Sequence, residues 1–338
     1  MIEPRPGTAV VLVNLGTPRA PTSRAVRPYL REFLTDRRVV DMHPAVWRPI
    51  LELGVLSARP RASAAKYRTV WTPDGSPLLV HTRAQAAALQ ATLGADVEVA
   101  VAMRYGQPAF ATVLADLVDR GHERVLVVPL YPQYASSSTG TVLDAAHRAV
   151  AALPHHPEVR TVRAFGEHPA YVDAVCTALE ERWHQVGRPD PASGDRVVLS
   201  FHGIPQAMSD AGDPYLAECE RTADAVRQRL GLDAGSCLLT FQSRFGPARW
   251  LGPATIDTVR GLGADGSRRT EVVCPGFVSD CLETLEEIDQ LNREAYEEAG
   301  GSGFAYVPWG NARPAWTDAL GQIVRTHLDG WVPVGAGR

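Results

Sequence analysis

A histidine at the end of an apolar run is the sharpest chemical signal in this sequence. Ser200-Phe201-His202-Gly203-Ile204-Pro205 closes a Val-rich stretch, and an imidazole there can exchange protons near neutrality or ligate a divalent metal. The plainer alternative is a satisfied histidine at a strand end. Gly203 behind it has no side chain and would let a ligand approach the main chain. A second cluster runs from Cys274 to Glu283. Asp280 and Glu283 have the spacing of a capping box, in which both acids favour a helix N-terminus. Glu287, however, follows Glu283 at i, i+4 on one helical face, where like charges cost about 0.2–0.5 kcal/mol. The next basic residue is Arg293. Such a face is either a path for a cation or proton, or a solvated surface. Trp250, Phe277, Tyr105 and Tyr131 occupy loop positions and together suit the walls of a flat apolar slot, with Arg104 available for a carboxylate.

These residues need strands to present them. Continuous apolar runs at 9–15, 97–103, 124–130, 196–201, 238–242, 271–274 and 304–307 read as parallel strands buried on both faces. Helical patterns at 82–93, 108–120, 141–152, 215–230 and 282–299 alternate with them. The expected architecture is α/β, with two Rossmann-like, doubly wound domains of parallel sheet and an active-site cleft between them. In such sheets ligands bind outside the carboxyl ends of strands, where the Asn14-Leu15-Gly16, Arg104-Tyr105-Gly106, His202 and Cys274–Glu283 segments all fall. The division is expected near Ser136–Thr139, giving domains 7–138 and 139–311, with a last helix over 312–330 packing back on the first. Gly261-Leu-Gly263-Ala-Asp-Gly266 matches a dinucleotide fingerprint but follows a helix and precedes a strand, the reverse of what phosphate binding needs. Its glycines are expected to end a helix and turn the chain.

Composition narrows the function classes. The chain has 338 residues, 21% charged and 45% hydrophobic, with a formal net charge of −4. No basic run supports nucleic-acid binding. There is no signal-peptide pattern and no apolar run of membrane-spanning length, so the cytoplasm is the expected compartment. The five cysteines, Cys176, Cys219, Cys237, Cys274 and Cys281, show neither C-x-x-C nor zinc-finger spacing and are expected to be reduced core thiols.

With six motifs in order, the sequence resembles the ferrochelatase family along nearly its whole length. They are LVNLGTP at 12–18, MRYGQP at 103–108, YPQYASSSTG at 131–140, SFHGIP at 200–205, TFQSRFGPARWLGP at 240–253 and CPGFVSDCLETLEEI at 274–288. The resemblance implies insertion of Fe²⁺ into protoporphyrin IX to give protohaem, the end of haem biosynthesis, with the CLETLEEI form similar to the proteobacterial branch. It implies that His202 and Glu283 are the catalytic, iron-contacting or proton-accepting pair, and that Glu287 continues a proton or metal path. Leu15, Arg104, Tyr105, Trp250 and Phe277 match porphyrin-binding positions. Segment 26–56 matches an apolar lip, implying either peripheral contact with the inner membrane or a partner that delivers porphyrin. The lip's plainer alternative is an amphipathic helical pair.

Three positions depart from the family pattern. Cys281 stands where many members have a second histidine, and Leu291 where a third acid often follows. Ser136 replaces the cysteine that animal-type members use for a [2Fe–2S] cluster, so no cluster and no permanently bound cofactor is expected, Fe²⁺ being a substrate. The alternatives are a coproporphyrin ferrochelatase, a related chelatase acting on another tetrapyrrole and metal, or a tetrapyrrole-binding carrier without turnover.

Overall fold

Branched apolar residues favour strands covered on both faces, and most of the strands in the computed structural model, which describes residues 7–331, grow from such runs. β1 (Gly7–Thr17), β2 (Val97–Gly106), β3 (His122–Pro129) and β4 (Glu158–Thr161) form one parallel sheet in the order β2-β1-β3-β4. β5 (Arg196–His202), β6 (Cys237–Gln242), β7 (Thr270–Val273) and β8 (Phe304–Tyr306) form a second, also parallel, in the order β6-β5-β7-β8. The two orders are the same, so the second half repeats the topology of the first. Val10 to Val13 in the first sheet and Val197 to Leu199 in the second are completely buried.

Parallel neighbours require crossovers, and helices supply them. Phe110–Asp119 joins β2 to β3 and Thr141–Ala151 precedes β4. In the second half, Tyr215–Leu230 joins β5 to β6 and Thr255–Ala264 joins β6 to β7. Between β7 and β8 the sequence suggests a single ordinary helix. Instead Glu283–Asn292 is wound as a π-helix, continued by the α-helix Arg293–Glu298. Such winding bonds i to i+5 and is frequent at functional sites.

The chain divides into two compact units. One comprises the residues up to Leu130, Ala135–Arg163 and those from Leu320 onward; the other comprises Tyr131–Tyr134 and Ala164–Ala319. This differs from the division expected near Ser136–Thr139. The reason is β4, which pairs with β3 through Val125↔Val159 and Val127↔Thr161 and so belongs to the first sheet. Its sequence, Glu-Val-Arg-Thr, is short and partly exposed, as an edge strand can be, and leaves no apolar run to read. The last helix is Pro314–Leu328. Within the first unit, Arg325 donates to the Thr92 carbonyl at 2.9 Å and Arg160 to the His327 carbonyl at 3.1 Å.

Of the fingerprint glycines, Gly263 is required by packing and Gly266 by its turn. Gly261 and Gly263 are inside the helix Thr255–Ala264, and a Cβ on Gly263 would sit 2.4 Å from the Tyr296 carbonyl oxygen. Gly266, at φ +75°, turns the chain toward β7. No helix among the described residues is long and apolar enough to cross a membrane.

Candidate active site

β5 delivers His202 at its carboxyl end, directly opposite Gln242 at the end of β6. The His202 Nδ1 lies 2.6 Å from the Gly203 carbonyl oxygen. A carbonyl only accepts, so Nδ1 carries the proton, and in the neutral ring the lone pair is left on Nε2. Nε2 has no hydrogen-bond partner among the described residues. Gly203 is needed for packing: a Cβ there would lie 2.9 Å from the Gln242 carbonyl oxygen and 3.3 Å from the Trp250 indole. Trp250 is pinned beside this turn, its main chain bridged to Pro205 and its Nε1 donating to the Phe245 carbonyl at 2.9 Å. Phe277 packs on the core formed by Val198, Val272, Ile288 and Phe304, its ring 6.3 Å from that of His202.

Asp280 and Glu283 part company. The Asp280 carboxylate accepts from the Tyr306 hydroxyl at 2.5 Å, Asn311 Nδ2 at 2.7 Å and Thr284 Oγ1 at 2.8 Å. Its main-chain N–H donates to Asn311 Oδ1 at 2.8 Å. A capping box would need that N–H for Glu283, so the capping role is corrected: Asp280 is a structural anchor and Glu283 is left half-buried without it. The Glu283 carboxylate lies beside Cys281, whose thiol is pushed well up, first by burial and then by the glutamate's charge. The Glu283 carbonyl accepts from Gln242 Nε2 at 2.9 Å.

Glu287, one π-turn along, is held by Ser243, whose main-chain N–H donates to Oε1 at 2.6 Å and whose hydroxyl donates to Oε2 at 2.5 Å. Burial raises the Glu287 pKa above 4.5, while the Ser243 donors and the charge of His202 pull it down and the charge of Glu283 pushes it up. His202 and Glu283 thus both act electrostatically on Glu287. Among the described residues no group of three or more His, Cys, Asp or Glu forms a ready-made metal cage.

The remaining candidates belong to the first unit. Leu15 is half-buried at the end of β1, its N–H bonded to Asn14 Oδ1 at 2.8 Å. Arg104 and Tyr105 are held by partners within the first unit. Arg104 is ion-paired with Asp36, donates to the Thr141 carbonyl at 2.8 Å and covers the Tyr105 ring at 4.3 Å. Tyr105 is 1% exposed, and its hydroxyl donates to the same Asp36 at 3.0 Å. These two residues tie the segment after the helix Ser23–Leu34 to β2. Gly16, opposite Tyr105, permits this approach, since a Cβ would fall 1.8 Å from the Tyr105 carbonyl oxygen.

Comparison with known proteins now decides the kinship. The match to the ferrochelatase family runs over residues 7–328, nearly the whole chain. This chain belongs to the ferrochelatase family. Its activity therefore falls within metal insertion into a tetrapyrrole. Among solved structures it is similar in fold to SirB from Bacillus subtilis with Fe³⁺, at 14% identity and a TM-score of 0.55, covering 96% of this chain and 97% of that one. It is equally similar, at 14% identity and a TM-score of 0.55, to the sirohydrochlorin chelatase SirB from Bacillus subtilis subspecies spizizenii in complex with cobalt, covering 94% of each chain. A Deinococcus radiodurans multi-domain protein with structural similarity to chelatases follows at 14% identity and a TM-score of 0.50, matched over 94% of this chain and 55% of its own.

Three residues of this chemistry were not readable beforehand as site residues. Ser243 and Gln242 sit inside the TFQSRFGPARWLGP motif without any chemical signal of their own. Asp36 is the partner of Arg104 from 68 positions away. The Glu287 environment yields a test. A carboxyl whose folded pKa is raised contributes stability that is full below the unfolded value of 4.5 and declines as pH rises through the folded value. The melting temperature of Glu287→Gln relative to the native protein should therefore shift in favour of the variant as pH rises from 4.5. A difference independent of pH would show that the carboxyl is not desolvated.

Proposed function

We propose that the chain inserts Fe²⁺ into protoporphyrin IX to give protohaem, with His202 and Glu283 as the catalytic pair. The observation that carries this reading is the unpartnered Nε2 of His202, on a ring oriented by its Nδ1–H bond, at the end of a strand whose neighbour holds the acidic helix through Gln242 and Ser243. Insertion replaces two pyrrole N–H protons with one divalent ion, so the site needs a base and an oxygen-donor path for the metal. Neutral His202 accepts a pyrrole proton through Nε2 or briefly ligates the iron. Glu283 takes the complementary role, and Glu287 extends the path. Trp250 and Phe277 offer apolar faces to a flat macrocycle. Protoporphyrin is favoured over coproporphyrin by the CLETLEEI form of the acidic helix.

His202→Ala and Glu283→Gln should each lower kcat/KM for anaerobic Fe²⁺ insertion by about two to four orders of magnitude, read from the shift of free-base to haem absorbance. Their melting temperatures and porphyrin affinities should stay close to the native values. Near-native turnover in either variant removes it from the catalytic pair. A second reading comes from the fold relatives, one of which is named a sirohydrochlorin chelatase in complex with cobalt. The same assay run with sirohydrochlorin and Co²⁺, and with coproporphyrin, ranks the substrates, and binding without turnover in every case would leave a tetrapyrrole carrier.

The enzyme works without an iron–sulfur cluster in this reading. Cluster ligands are thiolates, whereas Ser136 stands where animal-type members place one and the last cysteine in the sequence is Cys281. Protein purified anaerobically should lack the charge-transfer absorbance of a cluster, and its presence would refute this point.

Peripheral membrane contact belongs to the same proposal. Met42, Val46, Ile50 and Leu53 are exposed, Leu53 to 80%, within the segment matching the family's lip. An apolar ridge of this kind suits shallow insertion at a lipid surface. The native protein should float with phosphatidylglycerol-containing vesicles, and the double variant Val46→Asp, Leu53→Asp should not. Failure of the native protein to float would discard the contact.

A further inference from the structure

Ser243 sits in a conformation that suits another residue. Its φ is +65°, in the left-handed region where glycine is at ease and a residue with a Cβ is strained. Inference runs from such an outlier to a function when something specific is gained by it. Here the gain is visible: both donors of Ser243, the main-chain N–H and the hydroxyl, meet the two oxygens of one carboxylate, that of Glu287. Glycine would relieve the backbone and lose the hydroxyl.

The residue before it acts on the same helix. Gln242 is 3% exposed and carries its side chain into the interior. Its Oε1 accepts from the Ser200 hydroxyl at 2.8 Å and the Cys274 thiol at 3.5 Å, while its Nε2 donates to the Glu283 carbonyl at 2.9 Å. Gln242 thus moors the first π-turn by its main chain, and Ser243 moors the next acid by its side chain. Both lie at the end of β6, beside the strand that ends in His202.

We propose that Ser243 is a positioning residue for metal delivery, clamping the Glu287 carboxylate so that its remaining lone pairs face the path of a divalent cation. A carboxylate gripped at both oxygens does not rotate, and the entropy of ordering it is spent before the cation arrives. This rests on the chelatase reading of the acidic helix. Ser243 itself touches neither metal nor porphyrin in this scheme; it acts through Glu287.

Two substitutions separate positioning from simple structural support. Ser243→Gly relieves the backbone and Ser243→Ala keeps its strain, yet both delete the hydroxyl. Positioning requires that both raise KM for Fe²⁺ by about tenfold with kcat changed less and porphyrin affinity unchanged, although Ser243→Gly melts at or above the native temperature and Ser243→Ala below it. Structural support alone would leave Ser243→Gly with native kinetics, and that result, or a metal KM that follows the melting temperature, overturns the proposal. The native protein in the same assay tests the underlying reading separately. No metal insertion by the native chain sinks the chelatase assignment, whereas native insertion with an unaltered Ser243→Gly sinks only the clamp.

Discussion

The pairing of β5 with β6, with His202 opposite Gln242, is the constraint on which the site depends. Because side chains alternate along a strand, a slip of one residue would turn His202 to the other face and withdraw Gln242 from the acidic helix. The register is held from below by a buried polar net. The Ser200 hydroxyl meets Gln242 at 2.8 Å and Thr255 at 2.7 Å, and Thr240 meets Thr255 at 2.9 Å. Each of these side chains is buried and each is bonded, the condition under which a polar core specifies one arrangement instead of weakening it.

The same accounting explains why neighbouring acids differ in role. Asp280 has its oxygens bonded to three donors and is chemically spent. Glu283, three residues on, is excluded from the cap because Asn311 already takes the N–H it would need. Glu287 is desolvated and like-charged with Glu283, which disfavours ionisation, yet it is bonded at both oxygens and attracted by His202, which favours it.

Repetition of the strand order does not carry the chemistry with it. β1 and β2 occupy in the first sheet the places that β5 and β6 occupy in the second. At their ends, however, Gly16, Arg104, Tyr105 and Asp36 lock together by close approach, ion pair and hydrogen bond. The second unit keeps an imidazole nitrogen and two carboxylates at the equivalent end. One topology carries an interlocked set of side chains in one case and the candidate reactive groups in the other, because the side chains at strand ends are not dictated by the fold.

Sequence alone was enough for seven of the strands and for the α/β class, and it marked His202, Glu283 and Glu287 as candidates, because buried parallel strands and motif order are properties of local residue type. β4 escaped because Glu158 and Arg160 on a short edge strand carry no apolar run. That Arg104 pairs with Asp36 has no local signal, because an exposed guanidinium and a paired one look alike in sequence. Whether Asp280 or Glu283 stays free, how the acidic helix is wound, and that Ser243 adopts a left-handed turn to grip Glu287 were decided only in three dimensions. Each depends on hydrogen bonds between residues some 30 to 70 positions apart, and the desolvation that sets their strength exists only once the chain has folded.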